Sequence, residues 1–86
     1  MNARPSGEPV AKTRRVVVSI HGLGRDGGGS LAVERALSKL PGVAQAYVNS
    51  ATEMAYVEYD PLLTGSERLI RPIEREGFRA GRPEVR

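Results

Sequence analysis

Residues 43–61 read VAQAYVNSATEMAYVEYDP, and this stretch decides the fold. Val43 to Asn49 and Met54 to Tyr59 are two short runs rich in aromatic and β-branched residues. The polar residues Ser50-Ala51-Thr52 lie between them as a turn. Strands joined so tightly pair antiparallel. Pairing Asn49 with Met54 sets Tyr47 opposite Tyr56. Ala55, Val57 and Tyr59 then face inward, and Met54, Tyr56 and Glu58 face outward. Asp60-Pro61 breaks the second strand.

Upstream of the hairpin, Ser30 to Leu40 has helical spacing. Ser30 is a plausible N-cap, and Val33, Ala36, Leu37 and Leu40 form one apolar stripe. Glu34, Arg35, Ser38 and Lys39 fill the wet face, and Pro41-Gly42 stops the helix. Before it, Arg15 to His21 (RVVVSIH) is a strand with Val16, Val18 and Ile20 toward the core and Val17, Ser19 and His21 on the other side. Gly22 to Gly29 (GLGRDGGG) links strand and helix and is too rich in glycine for regular structure.

Downstream, a second helix is predicted from about Ser66, where Thr64-Gly65-Ser66-Glu67 fits a capping box. Leu69, Ile70 and Ile73 are its buried stripe. Pro72 demands a kink, or a late start that brings it near the first turn. Arg68, Arg71 and Arg75, interleaved with Glu67 and Glu74, read as an ordinary charged face. Gly77 ends the helix, and Phe78-Arg79-Ala80 is a short last strand. The order strand, helix, strand, strand, helix, strand is the α+β, ferredoxin-like βαββαβ arrangement. It implies a four-stranded antiparallel sheet with both helices on one face and the other face open. The domain runs over residues 15–81, with a flexible basic tail at 1–14 and a C-terminal tail at 82–86.

The chain has 86 residues, which allows one domain. Its formal net charge is +3, and the location of that charge matters. Arg4, Lys12, Arg14 and Arg15 against Glu8 put the excess on the N-terminal segment, leaving the domain itself near neutral. A nucleic-acid binder needs a basic face on the domain, so no nucleic-acid partner is expected. No apolar run approaches a bilayer span, and Met1 to Ala11 does not read as a secretory signal. Cysteine is absent, which fits a cytoplasmic location.

The order of segments from Val16 to Ala80 resembles the heavy-metal-associated domain family, which includes soluble copper chaperones and N-terminal modules of metal-transporting P-type ATPases. The resemblance lies in Ile20-His21-Gly22-Leu23, then Val33-Glu34-Arg35-Ala36-Leu37, then Leu40-Pro41-Gly42-Val43. It continues through Val48-Asn49, Val57-Glu58-Tyr59-Asp60-Pro61 and Gly77-Phe78. Family members carry a C-x-x-C pair in the loop after the first strand and hold Cu(I) or another soft ion with it, because thiolates are soft ligands. Here that loop is Gly22, Leu23, Gly24, Arg25, Asp26, Gly27, Gly28 and Gly29. Counting from Leu23 puts the cysteine positions on Arg25 and Gly28. Counting back from Val33 puts them on Asp26 and Gly29. Neither count gives a thiolate, so this is a degenerate member in which no cofactor is expected. The resemblance implies a protein partner, either a metal pump or another domain of this kind, met through the glycine loop and first helix.

Other chemistry at the loop is limited. His21 and Asp26 are weak candidate ligands for a harder ion, with Arg25 between them. Gly22-x-Gly24-x-x-Gly27 matches the dinucleotide fingerprint, but the chain is too short for that fold and lacks the acidic residue at the second strand's end. An alternative function is a regulatory domain that binds a small anion or amino acid at Arg25, Gly28, Gly29 and Ser30, at the helix N-terminus. Tyr47 and Tyr56 lie on the open sheet face, where they form a packing pair or a homodimer surface. No nucleophile stands beside a base and an orienting group, so the chain reads as a non-enzyme.

Overall fold

Arg14–His21 forms β1, and alternate residues Val16, Val18 and Ile20 are almost wholly buried. The computed structural model describes residues 13–23 and 28–86. The expected basic tail thus lies outside the described residues as far as residue 12. The chain continues through α1 (Gly28–Ser38), β2 (Val43–Asn49), β3 (Met54–Tyr59), α2 (Ile70–Arg75), β4 (Arg79–Ala80) and β5 (Glu84–Val85). This is the expected ferredoxin-like order. The hairpin strands begin and end where the alternation of residues placed them.

The sheet runs β2-β3-β1-β4, antiparallel throughout, and β5 also pairs with β1. Asn49 faces Met54 and Tyr47 faces Tyr56, the expected register. The turn is fixed by Asn49, whose Oδ1 accepts the N–H groups of Ala51 and Thr52 at 2.9 and 3.3 Å. Glu53 takes φ 57°, and its carbonyl accepts the N–H of Ile20 at 2.8 Å. The hairpin tip is therefore tied to the end of β1, where the glycine loop begins.

One face of the sheet carries the core. Val16, Val18, Ile20, Val48, Ala55 and Val57 meet Val33 and Leu37 from α1 and Leu69 and Ile73 from the α2 segment. Burying aliphatic side chains of this size stabilises by roughly 1.5–3 kcal/mol each. The expected stripe on α1 holds at Val33 and Leu37, whereas Ala36 and Leu40 are only half-buried.

Four details differ from the sequence reading. First, residues 82–86 were assigned to a tail, but Glu84–Val85 pair with Val17 and Val16, and the N–H of Arg86 donates to Arg15 O at 2.7 Å. β4 and β5 are two halves of one edge line beside β1, interrupted at Gly81-Arg82-Pro83, where Pro83 has no N–H to give. This line helps leave Val17 only 7 % exposed although it points to the open face. Second, α1 starts at Gly28, so Ser30 lies within its first turn and is buried instead of standing before it. Third, the Thr64–Glu67 capping box does not form. Gly65 precedes a 3-10 turn over Ser66–Leu69, with no side-chain cap. Fourth, Glu34 is not simply solvated, because its carboxylate bonds to β2.

Pro72 is accommodated by the late start. The 3-10 turn hands over to α2 at Ile70, so Pro72 sits in the first turn of α2, where its missing N–H has no helical partner to lose. Pro72 is buried there along with Ile73. Among the described residues, no helix is long and apolar enough to cross a membrane.

Candidate functional site

The loop between β1 and α1 is the candidate site, and its frame is built by three glycines and two apolar anchors. Leu23 is buried and belongs to the core. It pins the first end of the loop to the sheet. Gly22 has φ +97°, a conformation that side chains with a Cβ rarely adopt. The other end of the loop enters α1 at Gly28. A Cβ on Gly29 would lie 2.9 Å from the Leu23 carbonyl oxygen and 2.9 Å from Cζ of Phe78. Packing across the loop thus requires glycine there. Phe78 is the half-buried wall of this end of the molecule, with its ring also 3.7 Å from where a Gly22 Cβ would sit.

Of the residues singled out in the sequence, Gly24, Arg25, Asp26 and Gly27 lie outside the described residues. The proposed His21–Asp26 ligand pair and the Arg25 arm of the anion site therefore have no described geometry. His21 is exposed at the end of β1, directly opposite Arg79 on β4. Side chains opposed in an antiparallel pair share a face, so the register puts a permanent cation on the same face as His21. Sequence reasoning missed Arg79 because nothing local marks which residue will face His21. Gly28 and Ser30 are placed at the first turn of α1, and Ser30 is only 8 % exposed. Among the described residues, no three His, Asp or Glu side chains gather as a metal-holding group.

The open sheet face carries Tyr47 and Tyr56, 54 % and 43 % exposed. Their rings stack with centroids 6.2 Å apart and planes at 20°. Arg15 lies 3.7 Å from the Glu58 carboxylate on the same face, and the Thr13 hydroxyl also donates to Glu58.

This framework matches a known family in detail. Residues 17–79 fit the model of the heavy-metal-associated domain. The chain belongs to that family. It is 40 % identical over 55 residues to copper-transporting ATPase 1 of Mus musculus, and 44 % identical over 46 residues to a copper-exporting P-type ATPase of Bacillus subtilis. These stretches cover 64 % and 54 % of the chain but only 4 % and 6 % of those relatives. The fold superposes on a copper-binding domain from HMA7, a P-type ATPase, with a TM-score of 0.74 and 32 % identity over 85 % of this chain and 93 % of that one. It also superposes on the CopZ metallochaperone, with a TM-score of 0.74 and 27 % identity over 78 % of this chain and 98 % of that one. This heavy-metal-associated domain contains no cysteine at any position, so it is a degenerate member of its family.

Proposed function

We propose that this domain serves a metal transport or resistance system as a docking or regulatory module whose own loop binds metal weakly or not at all. The observation that carries the reading is the lack of cysteine in a chain that otherwise keeps the family's fold and segment order. Cu(I) is held by soft sulfur donors, and neither way of aligning the loop supplies one. The opposition of Arg79 to His21 further disfavours a cation at the loop's first end.

The partner in this reading is a metal pump or another heavy-metal-associated domain, and the meeting surface is the loop with α1. The relatives that match are named as copper-transporting and copper-exporting ATPases, of which a domain of this size is a small part. Docking then takes place on the cytoplasmic side.

Titration with Cu(I), Zn(II) and Cd(II), followed by amide NMR shifts, tests the reading. Small, non-saturating shifts around Gly22–Gly29 are expected. Tight stoichiometric binding in the loop would overturn it. A thermal-shift screen with phosphate, nucleotides and amino acids tests the anion-binding alternative, since a ligand that binds the native state must stabilise it. Stabilisation there, without any metal response, would replace the docking reading with the alternative.

A further inference from the structure

Leu62 is 87 % exposed and Leu63 61 %, the two most exposed large apolar side chains among the described residues, and they are neighbours in the chain. They form the tip of the connection between β3 and the 3-10 turn, with exposed Pro61 beside them. One exposed leucine on a surface is ordinary, but three apolar residues in a row at the tip of a turn mark a contact.

The tip is held firmly. The N–H of Asp60 donates to the Gly42 carbonyl at 2.7 Å, which fixes the base of the turn. The Asp60 carbonyl accepts the N–H groups of Leu63 and Thr64 at 3.0 and 3.1 Å, and its carboxylate Oδ1 accepts that of Leu62 at 2.9 Å. Pro61 has no N–H. Each backbone donor from Asp60 to Thr64 therefore has a protein partner. Unpaired donors resist entry into an apolar medium, and these do not need water. A Cβ on Gly42 would lie 2.8 Å from Leu63 Cβ, so Leu63 is braced from behind while Leu62 stands clear.

Cations stand at the base of the turn. Arg14 and Arg68 line a recess of about 380 Å³ beside Pro61 and Thr64, with Glu67 as the one carboxylate in its lining. Both arginines are exposed, and neither forms an ion pair with another described residue. Arg14 opens β1 opposite Tyr59, so the N-terminal segment, with Arg4 and Lys12 against Glu8, joins the domain at this same end. From there β1 runs eight residues, about 23 Å at ~3.3 Å per residue, to the glycine loop at the other end.

We infer that the Leu62–Leu63 turn seats itself in the interfacial layer of an anionic bilayer, with Arg14 and Arg68 meeting lipid phosphates. Apolar insertion and basic charge are each weak alone and together hold a protein reversibly at a membrane surface. The contact is peripheral, not a span. A bilayer fits better than a protein partner, because it takes in a protruding turn without needing a matching recess. The inference goes beyond the docking role proposed above and stands apart from it, since this attachment leaves the glycine loop facing away from the lipid.

The test uses the whole chain with vesicles of phosphatidylcholine, alone or mixed with phosphatidylserine, read by co-sedimentation and amide NMR. Shifts are expected at Gly42, Leu62, Leu63 and Thr64. The chain has no tryptophan, so Leu62→Trp puts a single indole at the tip. Its emission should move to the blue on mixed vesicles and be quenched by lipids brominated along the acyl chain. Leu62→Ser with Leu63→Ser should weaken binding at least 10-fold, and Leu62→Ser alone, at the more exposed position, is the milder variant should the pair unfold the domain. Arg14→Gln with Arg68→Gln should weaken binding to the mixed vesicles about 10-fold and to phosphatidylcholine alone very little. An indole emission that does not move, or serine variants that bind as well as the wild type, refutes the inference. So does a lipid-free wild-type dimer that Leu62→Ser dissolves, because the tip is then a contact between copies. These outcomes leave the docking role standing, and tight Cu(I) binding at the loop would sink that role without touching the membrane contact.

Discussion

The carboxylate of Glu34, on α1, accepts the backbone N–H of Val48, on the edge strand β2, at 2.7 Å. Among the described residues β2 has a neighbour on one side only, and none of them gives this outward N–H a ladder partner. An unpaired strand edge invites another chain to add to the sheet. Glu34 closes one of its donors and at the same time clamps α1 to β2. Glu34→Ala should cost about 1.5–3 kcal/mol, the range for a hydrogen bond to a charged group. That corresponds to a fall in Tm of roughly 6–24 °C for a domain of this size. Glu34→Gln, which keeps an acceptor, should cost less. Thermal unfolding of the two variants checks the order, and equal losses would show that the charge and not the acceptor matters.

Gly42 and Gly77 have nearly the same backbone, φ +95° and +93°, but different surroundings. A Cβ on Gly42 would lie 2.8 Å from Leu63 Cβ and 3.0 Å from Thr64 Cγ2, while a Cβ on Gly77 would meet nothing within 4 Å. Gly77→Ala therefore measures the conformational cost alone, about 1–2 kcal/mol. Gly42→Ala should cost more by about 1–3 kcal/mol, the scale of overpacking. Urea unfolding midpoints of the pair would reveal this difference directly. Identical midpoints would mean that the turn after β3 yields freely.

Tyr47 and Tyr56 face each other across the hairpin with stacked rings. A double-mutant cycle with Tyr47→Ala and Tyr56→Ala should return a coupling of about 0.5–1 kcal/mol, within the range for aromatic pairs on a sheet. If the open face joins two copies, sedimentation of the wild type will show a dimer that the double variant loses. A monomer throughout would leave the pair as local packing.

The hairpin was legible because its alternation is local: Ala55, Val57 and Tyr59 lie inward because every second residue must. Pro72 was legible as a conflict, and the chain resolves it by delaying α2 until Ile70. What escaped the sequence depended on which groups become neighbours in space. Glu34 sits at a wet-face position of α1, and only the placement of β2 at the sheet edge gives it a backbone donor. Glu84–Val85 carries little strand character of its own, and it is ordered by the free edge of β1. That the glycine loop stands where the family carries its cysteine pair, and lacks it, was readable once the resemblance in segment order had been drawn. The opposition of Arg79 to His21 was not, because it is set by a register between strands that lie far apart in the sequence.

The two ways of aligning the loop with the family's cysteine pair make opposite demands on the structure. Asp26 with Gly29 requires a Cβ where the Leu23 carbonyl and the Phe78 ring each stand at 2.9 Å. The carbonyl is backbone and fixed by the buried Leu23, so relief there moves the core. Arg25 with Gly28 leaves Gly29 as glycine and also removes the cation from the first ligand position. Arg25→Cys with Gly28→Cys should therefore confer Cu(I) binding that withstands competition from a Cu(I) chelator. Asp26→Cys with Gly29→Cys should bind less tightly and lose about 1–3 kcal/mol of stability, the scale of overpacking. Chelator competition and thermal unfolding of both variants decide the matter. Stronger retention by the second pair would mean that the loop and Phe78 rearrange to admit a side chain at residue 29.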